Sequence, residues 1–126
     1  MKTLFVLMNH ELLPAQYQDA IESLGVTRAV SISDVNWSQI SPDDETISHS
    51  LEGYKQALIK QSQQEDFLLV QGDFGATYHM IRFARSLGLI PIYATTKRHA
   101  TQEIVDGSVI TKREFIHVRF REYEEI

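Results

Sequence analysis

Apolar residues in this chain fall into short unbroken runs separated by stripes at helical spacing, the pattern of an α/β protein. Leu4-Phe5-Val6-Leu7-Met8 and Phe67-Leu68-Leu69-Val70 are apolar throughout, which predicts strands buried on both faces of a parallel sheet. Arg28–Ile32, with Val30 and Ile32 on one face, and Leu89–Ala94 predict two more strands. Pro14 opens a helix on which Tyr17, Ile21 and Leu24 recur at helical spacing, and Gly25 stops it. Asp34–Ile40 fits a short helix or a loop. Ser41-Pro42-Asp43-Asp44 joins a capping hydroxyl, a proline and first-turn carboxylates, and so predicts a helix start. Ile47, Leu51, Tyr54 and Leu58 would form its inner stripe, and the polar stretch Gln61–Gln64 would end it. Thr77–Leu87 predicts a third helix with Met80, Ile81, Ala84 and Leu87 inward, stopped by Gly88.

Beyond the fourth strand the pattern changes. Asp106-Gly107 is a type I′ turn signal between Thr101–Val105 and Val109–Phe120, both rich in β-branched or aromatic residues. The expected fold is one α/β domain over residues 1–126. It has a Rossmann-like, mostly parallel sheet flanked by helices, with an antiparallel C-terminal hairpin. No repeat, low-complexity stretch or linker interrupts it.

Composition narrows the function classes. The chain has no cysteine, which removes thiolate chemistry and suits a reducing compartment. No apolar run approaches the roughly 20 residues of a membrane helix, and Met1-Lys2-Thr3 leads straight into a strand. A cytoplasmic protein without a membrane partner is therefore expected. The net charge of −5 is uneven: residues 97–121 hold six Lys/Arg against three Asp/Glu, whereas residues 1–96 hold six against eleven. A small anionic ligand is compatible with that local basic segment, and long nucleic acid is not expected.

In a parallel sheet, ligands bind outside the carboxyl ends of the strands. Three loops are expected there: Asn9-His10-Glu11, Gln71–Gly75 and Thr95-Thr96-Lys97-Arg98. Gly72 and Gly75 would let the backbone approach a ligand and adopt positive φ, and the helix behind them offers free N–H groups to an anion. Asp73 capping that helix across a tight turn explains the same residues. His10 suits acid–base work or a phosphate contact, and equally a loop histidine bonded to backbone. Lys97 and Arg98 are candidate phosphate contacts or a solvated pair. Arg113, Arg119 and Arg121 read as the polar side of a strand, and Trp37 and Tyr54 as packing residues. His49, His79, His99 and His117 read as solvated or structural. No two histidines have metal-ligand spacing on one helix face, so no metal and no cofactor are expected.

Three segments carry a specific likeness. Asn9-His10-Glu11-Leu12, Gln71-Gly72-Asp73-Phe74-Gly75-Ala76-Thr77-Tyr78 and Ala94-Thr95-Thr96-Lys97-Arg98, with the closing Phe115–Phe120, resemble the motifs of small stand-alone CRISPR-associated proteins of type III systems. That family is related to the CARF fold, which senses cyclic oligoadenylates, and its stand-alone members are regarded as ring nucleases that end the antiviral signal. The resemblance implies a CARF-like domain that binds and cleaves cyclic oligoadenylate, above all cyclic tetra-adenylate, by metal-independent attack of a ribose 2′-hydroxyl. Chemistry assigns His10, Asp73 and Arg98 to catalysis. It assigns Asn9, Gln71, Gly72, Phe74, Gly75, Ala76, Thr77, Thr95, Thr96 and Lys97 to ligand binding. A homodimer is expected, because the three loops are small beside such a ring; its surface would be the hairpin or the helix after Asp73. The rivals are a non-catalytic binder that sequesters or senses the same messenger, and a flavodoxin-like mononucleotide binder.

Overall fold

The computed structural model describes residues 1–126. Strands β1 (Lys2–Leu7), β2 (Val26–Ser31), β3 (Phe67–Val70), β4 (Ile90–Val105) and β5 (Ser108–Glu122) form a single sheet in the order β2-β1-β3-β4-β5. The first four are mutually parallel and β5 is antiparallel to β4. The α/β class and the C-terminal hairpin are as the sequence pattern predicts. Since β1 is flanked by β2 on one side and β3 on the other, the chain reverses its direction of winding at the carboxyl end of β1.

Both sheet faces are covered, which is why β3 and the Leu4–Leu7 part of β1 are apolar throughout. Phe5, Leu7, Leu68 and Val70 pack under helices α2 (Glu52–Gln61) and α3 (Phe74–Ser86). Leu4, Val6, Leu69, Ile92 and Phe120 pack on the opposite side with Ala20, just past helix α1 (Pro14–Asp19). At the amino edge the buried Asp66 carboxylate accepts the Thr3 and Gln63 N–H groups, both at 2.9 Å, and ties β1 to the approach of β3.

Several local expectations are corrected. Tyr17 and Ile21 lie on the outside of the first helix, and Gln16 and Ala20 are buried instead. The Gln16 amide folds back to accept the Leu13 N–H at 2.9 Å, and the helix continues as a π turn over Ala20–Leu24 before Gly25 at φ +70°. No helix starts at Ser41; its hydroxyl accepts only the Asp43 N–H in a local turn. A 3₁₀ turn over Ser48–Leu51 leads into α2, and Leu51, Tyr54 and Leu58 are nonetheless buried as the stripe requires. Asp34–Ile40 resolves as a 3₁₀ turn over Val35–Gln39, capped by the Asp34 carboxylate. Helix α3 starts three residues early, because Asp73 caps it.

The largest correction concerns Thr95-Thr96-Lys97-Arg98, which is not a loop. Strand β4 runs on without a break through these residues to Val105, paired with β5 as far as the turn. Asp106 and Gly107 have φ of +50° and +78°, the left-handed pair of a type I′ turn. The β-branched residues on both sides extend the ladder back to the sheet and leave no room for a loop.

Candidate functional site

Where β3 ends and β4 continues, Ala94 would lose its neighbour. The side chain of Gln71 replaces it: Gln71 Oε1 accepts the Ala94 N–H at 2.6 Å. The Gln71 backbone is held as well, its N–H donating to the Leu7 carbonyl and its carbonyl accepting the indole N–H of Trp37 at 2.9 Å. Trp37 is buried, as a packing residue should be, and meets Tyr54 edge-on at 5.5 Å between centroids. The Tyr54 hydroxyl donates to Asp34 at 2.5 Å. Burial, and then the Asp34 carboxylate, push that phenol well above its usual pKa, so it stays a donor.

This scaffold opens a cleft of about 410 Å³ between α3 and the β4–β5 corner, lined by Gln71, Gly72, Phe74, Thr77, Tyr78, Ile81, Tyr93, Ala94 and Tyr123. The volume suits a nucleoside-sized ligand. Phe74 is 94% exposed and Tyr78 62%, a costly display of aromatic surface unless something stacks there. Tyr93 and Tyr123 meet at 4.7 Å on the opposite wall, and the Tyr123 hydroxyl donates to the Val70 carbonyl. Thr77 Oγ1 is shielded from solvent and has no hydrogen-bond partner. With Oε1 engaged, Gln71 retains its Nε2 donor.

No charged side chain lines the cleft, but cations stand beside it. The Arg121 guanidinium lies 5.0 Å over the Tyr93 ring. Strand alternation puts Lys97 on the same sheet face as Tyr93, and puts Thr96 and Arg98 on the opposite face. Arg98 rests over Phe115 at 5.5 Å.

The structure thus brings together Gln71, Gly72, Phe74 and Thr77 of the expected site, with Lys97 on their face. It does not join His10, Asp73 and Arg98 by any hydrogen bond or ion pair. Asp73 Oδ2 accepts the Ala76 N–H at 3.0 Å, so a carboxylate already stands at the start of α3 where an anion was expected. Ala76 is fully buried, and Gly75 lies outside the cleft lining. Neither Gly72 nor Gly75 has positive φ. Gly72 is required because a Cβ would fall 2.6 Å from Trp37 Nε1, whereas a Cβ at Gly75 meets nothing closer than 3.6 Å. Asn9 and His10 are exposed beyond β1, and His10 Nδ1 lies 3.0 Å from the Glu11 carbonyl. A carbonyl only accepts, so Nδ1 is the donor in that contact, and no protein group engages Nε2. Thr95 donates its hydroxyl to the Arg119 carbonyl, and Thr96 is exposed within the ladder. Sequence reasoning missed Tyr78, Tyr93, Arg121 and Tyr123, whose only signal is aromatic and cationic side chains recurring near the ends of α3 and the hairpin.

On the α1 face, His117 is a structural histidine. Its side chain is 5% exposed, its Nε2 lies 2.7 Å from Asp19 Oδ2, and its Nδ1 is buried without a partner. Burial raises the Asp19 pKa, but the Ser23 hydroxyl, His117 and Arg119 outweigh it and hold the carboxyl below its ordinary 3.8. A depressed folded-state pKa stabilises the fold above the unfolded value, and that stability is lost as pH falls through the folded one. The melting-temperature advantage of the native protein over Asp19→Asn should therefore be complete at about pH 5 and shrink toward zero below pH 3.8, as differential scanning calorimetry would show. A gap that stays constant across that range would refute the coupling.

Fold and cleft together define a small α/β protein whose carboxyl sheet edge carries an uncharged, aromatic-walled cleft. The chain belongs to the uncharacterized protein MJ1673 family, whose profile matches residues 2–121. It is 43% identical to "Uncharacterized protein MJ1673" of Methanocaldococcus jannaschii, over 98% of each chain. No solved structure matches it. None of its helices is long and apolar enough to cross a membrane.

Proposed function

We propose that this chain is a homodimeric, CARF-like ring nuclease of the cytoplasm. It binds cyclic oligoadenylate, above all cyclic tetra-adenylate, at the carboxyl edge of its sheet and cleaves it by internal attack of a ribose 2′-hydroxyl. The observation that carries the reading is the cleft built by the Gln71–Thr77 motif, with stacking surfaces at Phe74, Tyr78 and Tyr93. Bases stack on such surfaces, and phosphates need nearby cations, which Arg121 and Lys97 supply. The sequence likeness to type III CRISPR-associated ring nucleases points the same way.

In the proposed step the 2′-oxygen forms a bond to the adjacent phosphorus and the bond from phosphorus to the 5′-oxygen breaks. His10 Nε2 takes the 2′-hydroxyl proton, and a protonated group or water returns one to the departing 5′-oxygen. Gln71 Nε2 and Thr77 Oγ1 hold the nucleoside, and Lys97 and Arg121 stabilise charge on the phosphorane, whereas Arg98 lies on the opposite sheet face and takes no part. Asp73 acts here by fixing the start of α3. The products are a 2′,3′-cyclic phosphate and a free 5′-hydroxyl, with atoms and charge balanced.

Incubating the protein with labelled cyclic tetra-adenylate in excess EDTA should give turnover, with a 2′,3′-cyclic phosphate identified by mass spectrometry. Cyclic tri- and hexa-adenylate serve as comparisons. His10→Ala should lower the single-turnover rate by about 100-fold or more and change affinity little. Recovery of activity only on adding magnesium would overturn the metal-independent chemistry. A second reading, a binder that sequesters or senses the ring, is favoured by the lack of contact among His10, Asp73 and Arg98. Stoichiometric retention of intact ligand would establish it in place of the first.

A further inference from the structure

Gly75 belongs to the Gln71–Thr77 motif, yet it lies outside the cleft and no local constraint demands a glycine there. Its φ is not positive, and a Cβ would meet nothing closer than 3.6 Å. It faces a second groove instead. That groove, of about 460 Å³, runs along the outer side of α3 and is lined by Gly75, Tyr78, His79, Arg82, Phe83 and Ser86. It is close in size to the first cleft, and Tyr78 lines both. Helix geometry explains the shared residue. At about 100° per residue, Phe74, Thr77 and Ile81 form one stripe of α3, and Gly75, His79, Phe83 and Ser86 form another. Tyr78 and Arg82 stand one turn apart on the boundary between them, and the Arg82 guanidinium donates to the Tyr78 hydroxyl at 3.3 Å.

The second groove has the charge that the first lacks. No carboxylate lines it, and Arg82 has no carboxylate partner. Arg85, three residues on, is already engaged: its Nε lies 3.4 Å from Glu125 and its Nη2 donates to the Tyr123 carbonyl at 2.6 Å. Burial, and then Lys55, hold the His79 pKa below its ordinary 6.5, so in neutral solution Arg82 is the one charge lining the groove. Tyr78, 62% exposed between the two cavities, offers a ring on which bases can stack. A guanidinium bonded to its hydroxyl is placed for the phosphate that joins them.

We propose that this groove is a second nucleotide subsite. Two adjacent bases of an adenylate flank Tyr78, one in each cavity, and Arg82 binds the phosphate between them. Gly75 is then glycine because a side chain there would fill the subsite. The proposal rests on the reading of the first cleft as an adenylate site, and it needs neither cleavage nor a closed ring to hold.

Isothermal titration with adenosine 5′-monophosphate, which fills one cavity, and linear di-adenylate, which spans both, tests it. Di-adenylate should bind at least tenfold more tightly, as one more stacked base provides. Gly75→Leu should abolish that gain and leave monophosphate binding unchanged, since Gly75 lies outside the first cleft. Arg82 is exposed, so Arg82→Ala keeps the fold. It should weaken di-adenylate binding and flatten its dependence on salt by about 0.7 in logarithmic slope, the share of one phosphate contact. Circular dichroism should show both variants folded. A di-adenylate that binds no more tightly than the monophosphate overturns the second subsite and leaves the first cleft standing. So does a gain that survives both substitutions. If neither ligand binds the native protein, the adenylate reading of the first cleft fails, and the second subsite falls with it.

Discussion

Gly72→Ala should lower the melting temperature by roughly 10 °C. The added Cβ would lie 2.6 Å from Trp37 Nε1 and 2.9 Å from Trp37 Cε2. Neither neighbour is the loose end of a flexible side chain. The indole is 1% exposed, fixed by Tyr54 on its edge and by its bond to the Gln71 carbonyl. Moving it costs overpacking strain of about 1–3 kcal/mol, and breaking the indole bond adds about 1 kcal/mol. At roughly 3–4 °C per kcal/mol for a chain of this size, the sum gives the expected shift. Gly75→Ala is the control, since the nearest atoms at 3.6 Å leave room for a methyl and φ is not positive. Within the first turn of α3 it should be neutral, or stabilising by about 0.5–1 kcal/mol. Equal melting temperatures for the two variants would show that Trp37 is not the reason for Gly72. Tryptophan fluorescence reports the displacement directly, as Trp37 is the sole tryptophan.

The contrast between these glycines shows what the sequence discloses and what it hides. The Gln71–Thr77 motif is visible as a turn before a helix, and its place at a strand end follows from the apolar run of β3. Why Gly72 must be glycine is not visible, because the constraint is a tryptophan 35 positions earlier on a 3₁₀ turn that local pattern could not assign. The strands of the core were legible for a physical reason: burial on both faces selects apolar residues throughout Leu4–Leu7 of β1 and the whole of β3. The first helix was misjudged because a glutamine occupies a buried position once its amide caps Leu13, which reverses the apparent polarity of the two sides. Thr95–Arg98 looked like a loop because polar residues follow a buried strand. In a ribbon solvated on both faces, polar residues are compatible with a strand, and only the pairing with β5 reveals it. Arg121 and Tyr93 come together across that pairing, a relation set by register rather than by proximity in sequence.

Phe74→Ala should weaken binding of cyclic tetra-adenylate by ten- to a hundredfold and leave the fold intact. Phe74 is 94% exposed, so its removal forfeits almost no burial, and the melting temperature should change by no more than about 2 °C. Stacking of one base on an aromatic ring contributes about 1–3 kcal/mol, and each 1.4 kcal/mol is tenfold in affinity. Phe74→Trp keeps a stacking face and should restore affinity, which a mere change in loop shape would not predict. Salt separates the base contact from the phosphate contacts. Added salt should weaken binding by Arg121→Ala less than binding by the native protein, because fewer counterions are released. The salt dependence of Phe74→Ala should match that of the native protein, since no charge is lost. Isothermal titration at two salt concentrations measures all of these together. If Phe74→Ala binds the ring as tightly as the native protein does, no base lies in this cleft, and the aromatic wall must serve another purpose.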